Sequence, residues 1–165
     1  MGLLHIFDSS DKRIVQTAAA RGVLDRLPVA DGNDLIPALD RLVSAGARFD
    51  RILFETHGAP GLIAFGKRAI TAPWWLSVRD RNYTSLTTAN ARVYFNGCNV
   101  AQDKVGWQFL EAAASVFLTP GGGQMFGQTS VGFGNPFNGH VVHLWGSTRT
   151  LFLDSRGRIV ERFEQ

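Results

Sequence analysis

Two apolar runs, each closing on a reactive side chain, dominate the hydrophobic pattern of this chain. One is Arg51 to Gly58, with Ile52, Leu53 and Phe54 leading to His57. The other is Arg92 to Asn99, with Val93, Tyr94 and Phe95 leading to Cys98. Both read as buried strands that stop at a polar turn. Laid side by side and parallel, they bring His57 and Cys98 out at the same sheet edge.

Other segments alternate in period around these two. Leu3–Phe7 reads as a first strand, followed by the turn residues Asp8 to Asp11. From Lys12 to about Leu27 the apolar positions Ile14, Val15, Ala18, Ala19, Val23 and Leu27 follow the helical period, and Pro28 stops the run. Asn33 or Asp34 caps a second predicted helix that reaches Ala45, with Gly46 at its end. Leu62–Phe65 and Arg68–Ile70 form a predicted hairpin turning at Gly66 and Lys67. Pro73 to Ala89 reads as helical, as does Asp103 to Phe117, and Gln124–Gly127 reads as a strand.

The tail reads differently. Val141–Trp145, Thr150–Leu153 and Ile159–Phe163 are short strands, with a turn at Asp154–Gly157. The stretch Thr129–Gly139, rich in Gly, Asn and Phe, reads as a loop of the kind that carries specificity over a rigid sheet. Apolar strands alternating with helices predict an α/β sandwich with a largely parallel sheet. Ligands in such sheets bind outside the carboxyl ends of the strands, where His57 and Cys98 sit.

Length and composition narrow the picture. The 165 residues suit a single domain, 1–165, with 141–163 a β-rich C-terminal extension. At 45% hydrophobic and 19% charged the composition is that of a folded protein. The net charge of +3 is spread as scattered pairs, so no nucleic-acid partner is expected. The N-terminus meets Asp8 too early for a signal peptide, and no apolar run approaches the ~20 residues of a membrane span. A cytoplasmic location is expected, and export without a conventional signal is compatible with the same sequence. The composition sets no oligomeric state.

Cys98 is the only cysteine, which rules out an internal disulfide and a multi-thiolate metal site. A thiol beside an imidazole is a nucleophile beside its base, and that chemistry needs neither metal nor cofactor. Gly58 and Gly97 leave space for a substrate backbone. A lone cysteine at a strand end is more often a small buried hydrophobe, so the joint pattern carries the reading. Asn96 and Asn99 flank the thiol and either orient His57 or cap the following helix, capping by Asn99 being the commoner role. His5 reads as a core histidine. His140 and His143, three apart on a strand, point to opposite sides and do not form a metal pair. Gly121–Gly123 lacks a phosphate-loop lysine.

His57-Gly-Ala-Pro-Gly61 and Gly97-Cys-Asn-Val-Ala101, forty-one residues apart from His57 to Cys98, resemble the caspase-like cysteine peptidase clan. The closest likeness is to an uncharacterised bacterial caspase-like domain found in large surface proteins. The resemblance spans Leu3 to Gly127 and leaves the tail without a counterpart. It implies a three-layer α/β/α sandwich and a cysteine endopeptidase working through a thioester. It also implies that Cys98 attacks, that His57 is the acid/base, and that the Gly58 and Cys98 amides form the oxyanion hole. The implied partner is a peptide or protein substrate. The caspase Gln-Ala-Cys signature is missing, so a preference for aspartate does not carry over. Two other readings stand beside it: an inactive caspase-like interaction module, and an acyl-transferring enzyme using the same dyad.

Overall fold

The computed structural model describes residues 2–165. Its centre is a seven-stranded sheet whose first three strands in sequence are β1 (Leu3–Asp8), β2 (Asp25–Val29) and β3 (Phe49–Glu55). A small antiparallel sheet follows, β4 (His57–Ala59), β5 (Leu62–Phe65) and β6 (Arg68–Thr71). The chain then returns to the main sheet as β7 (Thr87–Phe95) and β8 (Gly123–Gln128). β9 (Val131–Gly134) and β10 (Val141–Leu144) pair only with each other. β11 (Thr148–Leu153) and β12 (Ile159–Glu164) complete the main sheet, whose order is β12-β11-β8-β7-β3-β1-β2. β2, β1, β3, β7 and β8 run parallel; β11 and β12 are antiparallel additions. The α/β class and the mostly parallel sheet are as the hydrophobic pattern predicts.

Among the described residues four α-helices pack on this sheet: α1 (Lys12–Arg21), α2 (Leu35–Ser44), α3 (Ala72–Ser77) and α4 (Asp103–Phe117). The main core lies on one sheet face. There Ile6, Ile52, Phe54, Val93, Phe95, Met125 and Leu151 meet α2, α3 and α4 through Leu35, Leu39, Trp75, Phe109 and Phe117. α1, with Thr17 and Ala18 buried, packs against β1 on the other face. Strand burial follows that layering. β3 is buried on both faces from Ile52 to Glu55, whereas β7 alternates, with Val93 and Phe95 inward and Arg92 exposed.

Four expectations need correction. The first helix ends at Arg21, not Leu27, because Gly22 takes the left-handed conformation (φ 69°) and caps it. The residues beyond form β2, where Pro28 is tolerated because β2 is an edge strand. Asn33 and Asp34 do not cap α2 through their side chains; Asp31 caps a short 3₁₀ turn ahead of it. Pro73–Ala89 is not one helix: α3 is six residues long, two 3₁₀ turns follow, and β7 starts at Thr87. The tail splits, with Val141–Leu144 leaving the main sheet to pair with β9 inside the expected loop, while β11 and β12 extend the sheet. Among the described residues no helix is long and apolar enough to cross a membrane.

Candidate functional site

β3 and β7 are adjacent and parallel, with Phe54 opposite Phe95. The Asn96 amide donates to the Phe54 carbonyl at 2.9 Å, which carries the pairing one residue past β7. The two chains therefore leave the sheet together. His57 does not sit on β3 itself: Thr56 intervenes, and His57 opens β4.

Two glycines let the departing segments touch. A Cβ on Gly58 would lie 2.7 Å from the Cys98 carbonyl oxygen and 3.0 Å from its nitrogen. One on Gly97 would lie 3.2 Å from the Gly58 Cα. Any side chain at either position would push the His57 and Cys98 segments apart. His57 and Cys98 line one cleft of about 400 Å³ with Asp11, Asn96 and the β9 residues Gly132 to Gly134. Among the described residues the Cys98 amide has no hydrogen-bond acceptor.

Asp11, which sequence reasoning treated only as a turn residue, holds the histidine. Its Oδ2 lies 2.7 Å from His57 Nε2. Its Oδ1 accepts from the amides of Arg13 (2.7 Å) and Ile14 (3.3 Å), capping α1. The His57 hydrogen bond is the main reason its carboxyl stays below the usual aspartate range; those two amides add to the effect and burial opposes it. The signal lay in the sequence: an N-cap aspartate just past β1, on the sheet edge where β3 also ends. With Nε2–H donating to the Asp11 carboxylate, Nδ1 is the ring nitrogen that carries no proton.

The sulfur of Cys98 faces β9. The Gly132 amide donates to Sγ at 3.3 Å, and Sγ lies 3.7 Å from the Gly132 carbonyl. Gly132 spends the backbone edge that β10 leaves free on this contact. On its other side lies the ring of His143: a Cβ on Gly132 would fall 2.6 Å from His143 Cε1. His143 Nδ1 is 3.3 Å from the Ser130 carbonyl, and burial pushes the ring below the ordinary histidine value.

The remaining flanking residues divide. Asn96 lines the cleft, but Asp11 is what orients His57. Asn99 is not a helix cap. It sits in the left-handed region (φ 55°), donates its amide to Ser130 at 2.9 Å, and precedes Gln102, the actual N-cap residue of α4. The stretch Thr129–Gly139 does lie at the Cys98 end, although its first part is strand. His5 is wholly buried and bonded to Glu55 at 2.6 Å. Compared with known proteins, the chain matches no family model, no curated protein and no solved structure.

Proposed function

We propose that this chain is a cysteine peptidase-like hydrolase of the caspase-like kind, cleaving peptide bonds with Cys98, His57 and Asp11. The observation that supports it is one cleft receiving Cys98 and a histidine whose Nε2 is bonded to a carboxylate. That is the nucleophile, base and orienting group of acyl-transfer chemistry.

The steps follow from these groups. His57 takes the Cys98 proton, and Sγ attacks the substrate carbonyl carbon. Negative charge builds on the carbonyl oxygen, which the Gly58 and Cys98 amides stabilise; fixed donors of this kind contribute about 3 kcal/mol each. The tetrahedral intermediate collapses as His57 hands its proton to the departing amine. A thioester on Cys98 remains. Water, deprotonated by His57, attacks it and releases the acid and the free thiol. Gly97 keeps the loop thin enough for the substrate carbonyl to reach both amides.

The caspase-like sandwich fits the same reading. α1 lies on one face of the sheet, α2 to α4 on the other, and the site is at the carboxyl ends of β3 and β7.

A second reading has an observation of its own. Gly132 engages Sγ through both of its backbone groups, and the outer face of β9–β10 exposes Val131, Phe133, Val142 and Leu144. A sulfur held by the backbone of an apolar hairpin fits a binding module without turnover. Incubation with a proteome-derived peptide library, read by mass spectrometry, decides between them. New termini that appear with the wild-type chain and not with Cys98→Ala support the peptidase. A peptide-like electrophile that leaves Cys98 unlabelled supports the module.

A further inference from the structure

The cleft has a polar recess beside the dyad that its own residues leave unsatisfied. Glu55, two residues before His57, is buried at the end of β3. Its Oε2 accepts from His5 Nε2 at 2.6 Å and lies 3.6 Å from Arg21 Nε. Its Oε1 has no partner. Arg21 Nε and Nη2, Thr56 Oγ1 and His5 Nδ1 likewise have no hydrogen-bond partner, Arg21 Nε having only the ion-pair contact to Oε2. Among the described residues, three of the nine buried side-chain atoms lacking a hydrogen-bond partner belong to the Glu55–Arg21 pair, and His5 Nδ1 and Thr56 Oγ1 lie on residues bonded or adjacent to it. Native proteins rarely leave such atoms alone, and clustering of this kind points to an occupant.

The recess opens to the reactive groups. Glu55 and Thr56 line the cleft that holds His57 and Cys98. Arg21 lines an adjoining hollow of about 220 Å³, and Asn96 lines both. The free groups are of both kinds. Arg21 offers N–H donors, Glu55 offers an acceptor, and the Thr56 hydroxyl can serve as either. The carboxylate and the guanidinium also offset each other. A cationic side chain entering here meets Arg21, and an anionic one meets Glu55. A neutral group with one acceptor and one donor satisfies both.

Building on the peptidase reading above, we propose that this recess is a specificity subsite for a side-chain carboxamide, glutamine or asparagine, of a peptide substrate. The amide oxygen accepts from Arg21, and the amide nitrogen donates to Glu55 Oε1. Arg21 and Glu55 are specificity-determining residues and take no part in bond cleavage.

The test separates binding from catalysis. In the full chain carrying Cys98→Ala, the affinity of fluorescent peptides differing at one residue (Gln, Asn, Lys, Glu or Leu) is measured by polarisation. Gln or Asn is expected to bind about ten-fold or more tightly than the others, because a site built on hydrogen bonds rejects groups that cannot complete them. Adding Arg21→Gln leaves the carboxylate alone and shifts the preference to Lys. Adding Glu55→Gln, which keeps an acceptor for His5, shifts it to Glu. Thermal unfolding checks that each variant is folded, and the panel on the singly substituted chain decides the matter if they are not. Equal binding of all five peptides, or of none, overturns the subsite and leaves the recess to water. Selective binding without wild-type cleavage keeps the subsite and removes the peptidase; cleavage without selectivity does the reverse.

Discussion

At the scale of single residues, Asp11 is placed to do two things at once, and substitutions can separate them. Asparagine caps helices as well as aspartate does, so Asp11→Asn keeps α1. Its carboxamide does not give the imidazole the charged acceptor that the carboxylate does. Turnover is expected to fall by about 10²-fold or more, with the melting temperature nearly unchanged. Asp11→Ala loses the cap as well, at about 1 kcal/mol in denaturant unfolding. The pH dependence has a defined sign. A carboxyl held below its ordinary value of 3.8 contributes stability that is present above that value. This contribution is lost as the pH falls through the lowered folded value. The stability gap between wild type and Asp11→Ala should narrow over that acid window, and a gap that stays constant with pH would count against the hydrogen bonds to its carboxylate. For the dyad itself, Cys98→Ala should abolish peptide cleavage, and His57→Ala should slow alkylation of Cys98 by iodoacetamide. Unchanged alkylation would remove His57 as the thiol's partner.

At the scale of elements, the β9–β10 hairpin is a two-stranded ribbon held over the cleft, and such ribbons are marginal alone. Gly132 and His143 face each other within it, and Gly132 rests on the Cys98 sulfur. Burial lowers the affinity of His143 for a proton, so the unfolded chain takes up that proton first as the pH falls. Stability contributed by neutral His143 is complete above the ordinary value of 6.5 and declines as the pH drops below it toward the folded value. Hydrogen-exchange protection of Val131–Gly134 should decrease between pH 7.5 and 5.5, and His143→Gln should flatten that dependence. An unaltered protection profile would show that the ring is not what holds the hairpin. The two glycines under the site make a complementary test. Gly58→Ala places a methyl against the Cys98 carbonyl and should cost activity more than fold, because the strain falls on the His57 and Cys98 loops.

At the scale of the whole molecule, the tail from β11 onward is part of the main sheet. β11 supplies Leu151 to the core and pairs along the full length of β8. Leu151→Ala should therefore cost about 2–5 kcal/mol, as buried leucine truncations do. Removing residues 148–165 should strip β8 of its neighbour and unfold more than the tail. A single cooperative transition in calorimetry is the expected signature of one domain; two separated transitions would make β11–β12 an independent appendage. The sheet ends at β12, where Ile159, Val160 and Phe163 remain exposed.

Local pattern was enough to read the parallel sheet and the common edge at which the His57 and Cys98 segments leave it. Apolar runs with helical crossovers pair in parallel, and reactive residues just past such strands share an edge. The hairpin at Gly66 and the turn at Asp154–Gly157 were legible for a similar reason, since turn chemistry lies within a few adjacent residues. Boundaries failed where tertiary position outweighed local preference. Lys12–Leu27 has a helical period throughout, yet Gly22 and an available sheet edge turn its end into β2. Pairings distant in sequence were out of reach. Asp11 is 46 residues from His57, Gly132 is 34 from Cys98, and Glu55 is 50 from His5. Each pairing exists only because separate strands end at one edge. By itself the sequence determined which residues could react; only the folded sheet decided which groups surround them, because hydrogen-bond partners depend on distance in space and not along the chain.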